Sequence, residues 1–215
     1  MSKSPANDVE PVATIWLLDG RVVSDQQLLP YLTWLGQDEA ERYQRFTRPQ
    51  RQRQFLLGRI LLRSLLAQIL NVAPADVLLS ERLGLAPLLQ GVGAKPYFSL
   101  SHSGEWIACA LSEQMAVGLD IEVLNPERDL LALSEQALDP DEVALVRGLQ
   151  GEARVKMFYQ CWSRKEALYK LASTDSSASG QHCINLSHPD ISIVLCSPST
   201  LMSLPMLQSF QWPVV

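Results

Sequence analysis

No Cys-x-x-Cys pair occurs in these 215 residues, and the four cysteines, Cys109, Cys161, Cys183 and Cys196, stand far apart. That spacing excludes paired-thiol chemistry and predicts four reduced packing residues. His182, Cys183 and His188 lie close together but match no standard zinc ligand spacing. A Gly-x-Ser-x-Gly elbow is also missing, so the serines flanking His102 do not signal a hydrolase triad. Arg59 and Arg63 interrupt the longest apolar run, which therefore falls short of a membrane span. Residues 1–11 are polar and lack the apolar core of a signal peptide. Together these absences predict a cytoplasmic protein with no membrane partner. Excess positive charge is absent too: the formal net charge of −5 argues against nucleic acid as a partner.

An apolar content of 47% describes an ordinary globular protein, long enough for one large or two small domains. The charge is unevenly placed. Seven arginines (42, 45, 48, 51, 53, 59 and 63) fall within residues 42–63 of an acidic chain. Such a segment suits a local anion site, although any single arginine there could equally belong to a solvated helix face.

The periodicities predict strands over residues 14–18, 97–101, 105–112, 117–122 and 191–196, and helices over 25–46, 51–70, 130–149 and 154–171. The last fifteen residues carry little pattern. Gly58, inside the strongest helix, costs about 1 kcal/mol relative to alanine, so it implies close backbone packing or the approach of a ligand.

Three segments carry chemistry. In the strand Val117-Gly118-Leu119-Asp120-Ile121-Glu122, alternation puts Asp120 and Glu122 on one face. In the helix containing Trp162-Ser163-Arg164-Lys165-Glu166-Ala167-Leu168-Tyr169-Lys170, Glu166 and Lys170 are neighbours at i and i+4. Upstream, Ser99-Leu100-Ser101-His102-Ser103-Gly104 ends a strand in a polar turn. Alone, the Glu166–Lys170 pair is in most proteins an exposed ion pair worth less than about 0.5 kcal/mol. Jointly, the carboxylates, lysine, histidine and arginines suit a metal-bound, phosphate-rich ligand. Magnesium takes hard oxygen ligands, and Asp120, Glu122 and Glu166 offer three carboxylates from two elements. Glu166 is open to a second role as general base, which competes with ligation because a bound metal lowers its pKa.

These three motifs, in this order, resemble the 4′-phosphopantetheinyl transferases of the surfactin-synthetase-activating type, and in particular the bacterial holo-[acyl-carrier-protein] synthase 2 group. The resemblance runs from about Arg42 to the strand ending near Pro198. It implies an α+β fold of two pseudo-symmetric halves, residues 1–113 and 114–215, each a small antiparallel sheet on a long helix, with the site between them. It further implies transfer of phosphopantetheine from coenzyme A to a serine of an apo acyl or peptidyl carrier protein, with magnesium as cofactor. On that reading Lys170 neutralises a phosphate oxygen, Ser101 and His102 contact phosphate, and Arg42 and Arg53 meet coenzyme A. Single chains holding both halves are expected to be monomers. Arg164, Tyr169 and residues 173–179 would receive the carrier. Two departures stand out: Lys95 sits unusually close to its strand for a phosphate contact, and a serine-rich stretch replaces the glycine-rich segment after the lysine helix. They leave open a catalytically silent relative that only binds coenzyme A or a carrier.

Overall fold

The computed structural model describes residues 13–82, 84–91, 95–174, 181–201 and 203–212. The chain opens with strand β1 (Ala13–Asp19), then helices α1 (Asp25–Leu28), α2 (Gln37–Arg45) and α3 (Pro49–Leu70). Short strands β2 (Leu79–Ser80) and β3 (Leu88–Leu89) precede the hairpin of β4 (Tyr97–Ser103) and β5 (Trp106–Ser112). After β6 (Gly118–Val123) come α4 (Leu130–Ala137), α5 (Pro140–Gly148) and α6 (Gly151–Ala172). Strands β7 (His182–Leu186), β8 (Ile191–Ser197) and β9 (Met206–Ser209) complete the fold.

Two sheets stack between two long helices. The first has strand order β4-β5-β1-β9 and the second β6-β8-β7. Alternation along the strands explains the layers. Leu18, Ile107, Cys109 and Leu111 face α3, whose Leu57, Leu61 and Leu65 join the same core. Ile15, Leu17, Ala108 and Ala110 face the other way, against Leu119, Ile121, Ile193 and Leu195 of the second sheet. On the far side of that sheet, Val194 and Cys196 pack on Ala167 and Leu171 of α6. The mixed α+β architecture expected from the sequence is therefore present.

Close approach of α6 demands a glycine at position 118. A Cβ there would lie 2.0 Å from the Ala167 carbonyl oxygen and 2.7 Å from the Leu171 nitrogen. Gly58, by contrast, is not crowded: a Cβ would meet only Ile107, at 3.9 Å.

Several expectations need correction. The helix expected over residues 25–46 is broken into α1, a tight 3-10 segment led by Pro30, and α2, which starts after Gly36. Proline opens helical turns but disrupts their interior. Likewise, 130–149 divides at Asp139-Pro140, where Asp139 and Glu142 form a capping box. Strand β9 lies within the weakly patterned tail and pairs parallel to β1, so the end of the chain returns to the first sheet. The cysteines are not all reduced: Cys183 and Cys196 face each other across β7 and β8 and form a disulfide, while Cys109 and Cys161 are free and buried. No helix among the described residues is long and apolar enough to cross a membrane.

Candidate active site

Asp120 sits mid-strand on β6 and is buried, facing α6. From that helix Lys170 extends its ammonium to Asp120 Oδ1 at 2.8 Å, Ser101 Oγ at 2.9 Å and the Leu119 carbonyl at 3.0 Å. Ser101 completes the triangle by donating to Asp120 Oδ1 at 2.9 Å. Glu166, one turn before Lys170, is exposed at the rim of the same cleft. Glu122 shares the face of Asp120 but lies beyond the residues lining the cleft. Its carboxylate accepts from Ser103 Oγ at 2.7 Å. Burial, and secondarily Asp120, nevertheless raise the Glu122 pKa above the usual carboxylate range.

The cleft has a volume of about 670 Å³ and runs between α3, the β2–β3 segment, β4 and α6. Arg42, Arg51, Arg59, Arg82 and Lys170 supply its cationic lining, with the neutral His102 among them. Apolar surface from Phe46, Phe55, Leu85 and Phe98 alternates with these charges. Arg42 is held by Glu81 and lies over the Phe55 ring. Arg59 bridges Glu81 at 2.5 Å and the fully buried Glu39 at 2.8 Å. Arg63, expected within the same basic segment, is wholly interior and pairs with Glu39 and the Val77 carbonyl.

Arg53 is not in the cleft. Its guanidinium pairs with Asp25 and donates to the Gly20 carbonyl at 2.7 Å and to that of Val23, pinning the turn after β1. The helix explains this: residues two apart are separated by about 200°, so Arg51 and Arg53 leave α3 in opposite directions. Arg51, with Phe55 and Gly58 on its face, takes the position expected of Arg53. Ser101 also differs from expectation, because its hydroxyl is fully engaged within the protein. It donates to Asp120 and accepts from Lys170 and, at 3.2 Å, from the Ile121 amide. Lys95 is exposed and outside the cleft lining. Residues 175–179 of the expected carrier-contact segment fall outside the described residues.

His102 is exposed to the cleft, yet the protein packed around its ring disfavours the charged form. Burial foremost, then Arg51 and Lys170, push its pKa down to about 4. Arg51 Nη1 stands 3.4 Å from His102 Nε2, which makes Nε2 the acceptor and leaves the ring proton on Nδ1.

Whether these residues suit a metal turns on one atom. Asp120 Oδ2 is buried without a hydrogen-bond partner. A bare buried carboxylate oxygen is costly, and a hard divalent cation satisfies it. Among the described residues no three Asp, Glu, His or Cys side chains form a ready ligand cluster. Asp120 thus fits an ion that draws most ligands from substrate and water, the habit of magnesium, while Glu122, engaged with Ser103, and the exposed Glu166 form no cluster with it.

Comparison with known proteins decides the family. The profile described as 4′-phosphopantetheinyl transferase, N-terminal, matches residues 23–114. That of the 4′-phosphopantetheinyl transferase superfamily matches residues 116–198. The 4′-phosphopantetheinyl transferase HetI of Nostoc is 32% identical over 183 residues, covering 84% of this chain and 74% of HetI. The chain belongs to the 4′-phosphopantetheinyl transferase superfamily. A putative 4′-phosphopantetheinyl transferase of Synechocystis is 34% identical, covering 74% of this chain and 64% of that protein. The 4′-phosphopantetheinyl transferase AcpT of Escherichia coli is 32% identical, covering 57% of this chain and 72% of AcpT. In this chain Arg42, Ser101, His102, Asp120, Glu166 and Lys170 line one cleft, whereas Arg53 and Glu122 do not.

Proposed function

We propose that this transferase moves 4′-phosphopantetheine from coenzyme A to a serine hydroxyl of an apo acyl or peptidyl carrier protein, releasing 3′,5′-ADP. One observation carries the reading. A single cleft joins a wall of arginines to the Asp120–Lys170 pair, with Glu166 at its rim. Transfer from a pyrophosphate ester needs little covalent chemistry from the protein; it needs positioned phosphates and stabilised charge on their oxygens. Arg42, Arg51 and Arg59 bind the phosphates of coenzyme A against the apolar Phe46 and Phe55 surface. His102 donates through Nδ1–H. Lys170, whose three N–H groups are taken by Asp120, Ser101 and the Leu119 carbonyl, releases one of them to meet a phosphate oxygen, and Glu166 removes the proton of the incoming serine.

Magnesium, held by Asp120 with Glu122, would supply charge neutralisation on the pyrophosphate and leave Glu166 free to act as the base. The carrier docks where Tyr169, two-thirds exposed, stands beside Glu166 on α6. Arg164 there is held by Glu142 of α5, so its charge is partly matched before a partner arrives. Both halves of the site come from one chain, which supports a monomer.

Kinetics on release of 3′,5′-ADP test these roles. Asp120→Ala abolishes turnover, and Lys170→Ala lowers kcat more than it raises KM for coenzyme A, because a charge developed in the transition state loses its partner. A Lys170→Ala enzyme with normal kcat would show that the lysine serves only to pair with Asp120.

A further inference from the structure

Strand β6 is an edge of its sheet, so every second amide along it points away from β8 and needs a partner elsewhere. No strand supplies one. Instead the amide of Leu119 donates to Ser99 Oγ at 2.9 Å, that of Ile121 to Ser101 Oγ at 3.2 Å, and that of Val123 to Ser103 Oγ at 3.0 Å. Three alternate serines on one face of β4 thus replace a backbone ladder across the junction of the two sheets. Matching periods of two fix the register: a slip of one residue would present Leu100 and His102 to those amides.

A serine hydroxyl has one proton to give as well as lone pairs to accept with. Ser103 gives its proton to Glu122 Oε2 at 2.7 Å, and Ser101 gives its proton to Asp120 Oδ1 at 2.9 Å. Each serine therefore grips the amide of one β6 residue and the carboxylate of the residue before it. The pattern predicts a third carboxylate beside Ser99, but that position is Gly118, where α6 leaves no room for a side chain.

We propose that Ser101 and Ser103 are positioning residues that fix the β6 seam and aim the Asp120 and Glu122 carboxylates with the same hydroxyl, whereas Ser99 serves the seam alone. This rests on the reading above that those carboxylates hold magnesium. The alternative is that all three serines merely join the sheets, and Ser99 is the internal control that separates the two. Ser103 is the cleaner probe, because Ser101 also touches Lys170.

The experiment measures Mn2+ binding from the loss of the free-ion electron paramagnetic resonance signal, with coenzyme A present and no carrier, alongside the thermal midpoint. Ser99→Ala, Ser101→Ala and Ser103→Ala should each lower Tm. Metal affinity should fall by about 10-fold or more in the Ser101 and Ser103 variants, the usual effect of removing a group that orients a metal ligand, and stay unchanged in Ser99→Ala. Ser103→Thr, which keeps the hydroxyl, should restore affinity. If Ser103→Ala fails to fold, Ser103→Cys keeps the volume and weakens the donor, and it should bind Mn2+ more weakly than Ser103→Thr. Equal affinity in the Ser99 and Ser103 variants would overturn the proposal and leave the metal reading standing. Wild-type protein that binds no Mn2+ under these conditions would overturn both.

Discussion

His102 illustrates how the cleft acts on a single residue. Its ring lies between Arg51 from α3 and Lys170 from α6, and it stays neutral down to about pH 4. An unfolded histidine titrates near its ordinary value of 6.5, so between these pH values the unfolded chain binds the extra proton. His102 therefore leaves stability intact above pH 6.5 and removes it as the pH falls toward 4. A bound phosphate would offset both cations and raise the pKa again. In a nuclear magnetic resonance titration of the free protein, the His102 signal should move near pH 4 and shift upward when coenzyme A is added. A midpoint near 6.5 in the free protein would contradict the packing of protein around this ring, and with it the nearness of Arg51 and Lys170.

Helix α3 shows where sequence reading loses its grip. On β6 and α6 the functional residues obey short periods, so the common face of Asp120 and Glu122 and the neighbouring positions of Glu166 and Lys170 are legible directly, although Lys170 turns out to pair with Asp120. On α3, apolar residues occupy so much of the circumference that no polar face stands out. Arg51, Arg53, Arg59 and Arg63 look equivalent in the sequence, yet they divide between cleft, turn and interior. Only the positions of Glu39, Glu81, Asp25 and the Gly20 carbonyl, all remote in sequence, separate them. The consequence is a crossed pair of variants. Arg51→Ala should raise KM for coenzyme A by about 10-fold, the value of a charge-assisted phosphate contact, and leave Tm nearly unchanged. Arg53→Ala should do the opposite, lowering stability by about 1–3 kcal/mol through the abandoned Val23 carbonyl and the lost contact to Gly20 while KM holds. Measured KM and Tm for both proteins check the assignment; a raised KM with normal Tm in Arg53→Ala would refute it.

For the whole molecule, the layered order of helix, sheet, sheet and helix brings β4 and β6 together and so creates the cleft. Local motifs carried the family resemblance, but the seam of serines, the disulfide between Cys183 and Cys196, and the return of β9 to β1 all depend on pairing between distant segments. No window of sequence contains such pairing. Because one chain furnishes α3, β4, β6 and α6 around the cleft, a second copy is not required to complete it. Light scattering should give the mass of a single chain, and an obligate trimer would contradict that assembly.

The central claim is group transfer, and intact-mass spectrometry reads it directly. A panel of apo acyl and peptidyl carrier proteins is incubated with the enzyme, coenzyme A and magnesium. At least one carrier should gain a single phosphopantetheine group, lost again when its acceptor serine is replaced or when the enzyme carries Asp120→Ala. A wild-type enzyme that binds coenzyme A yet leaves every carrier at its apo mass would contradict the account.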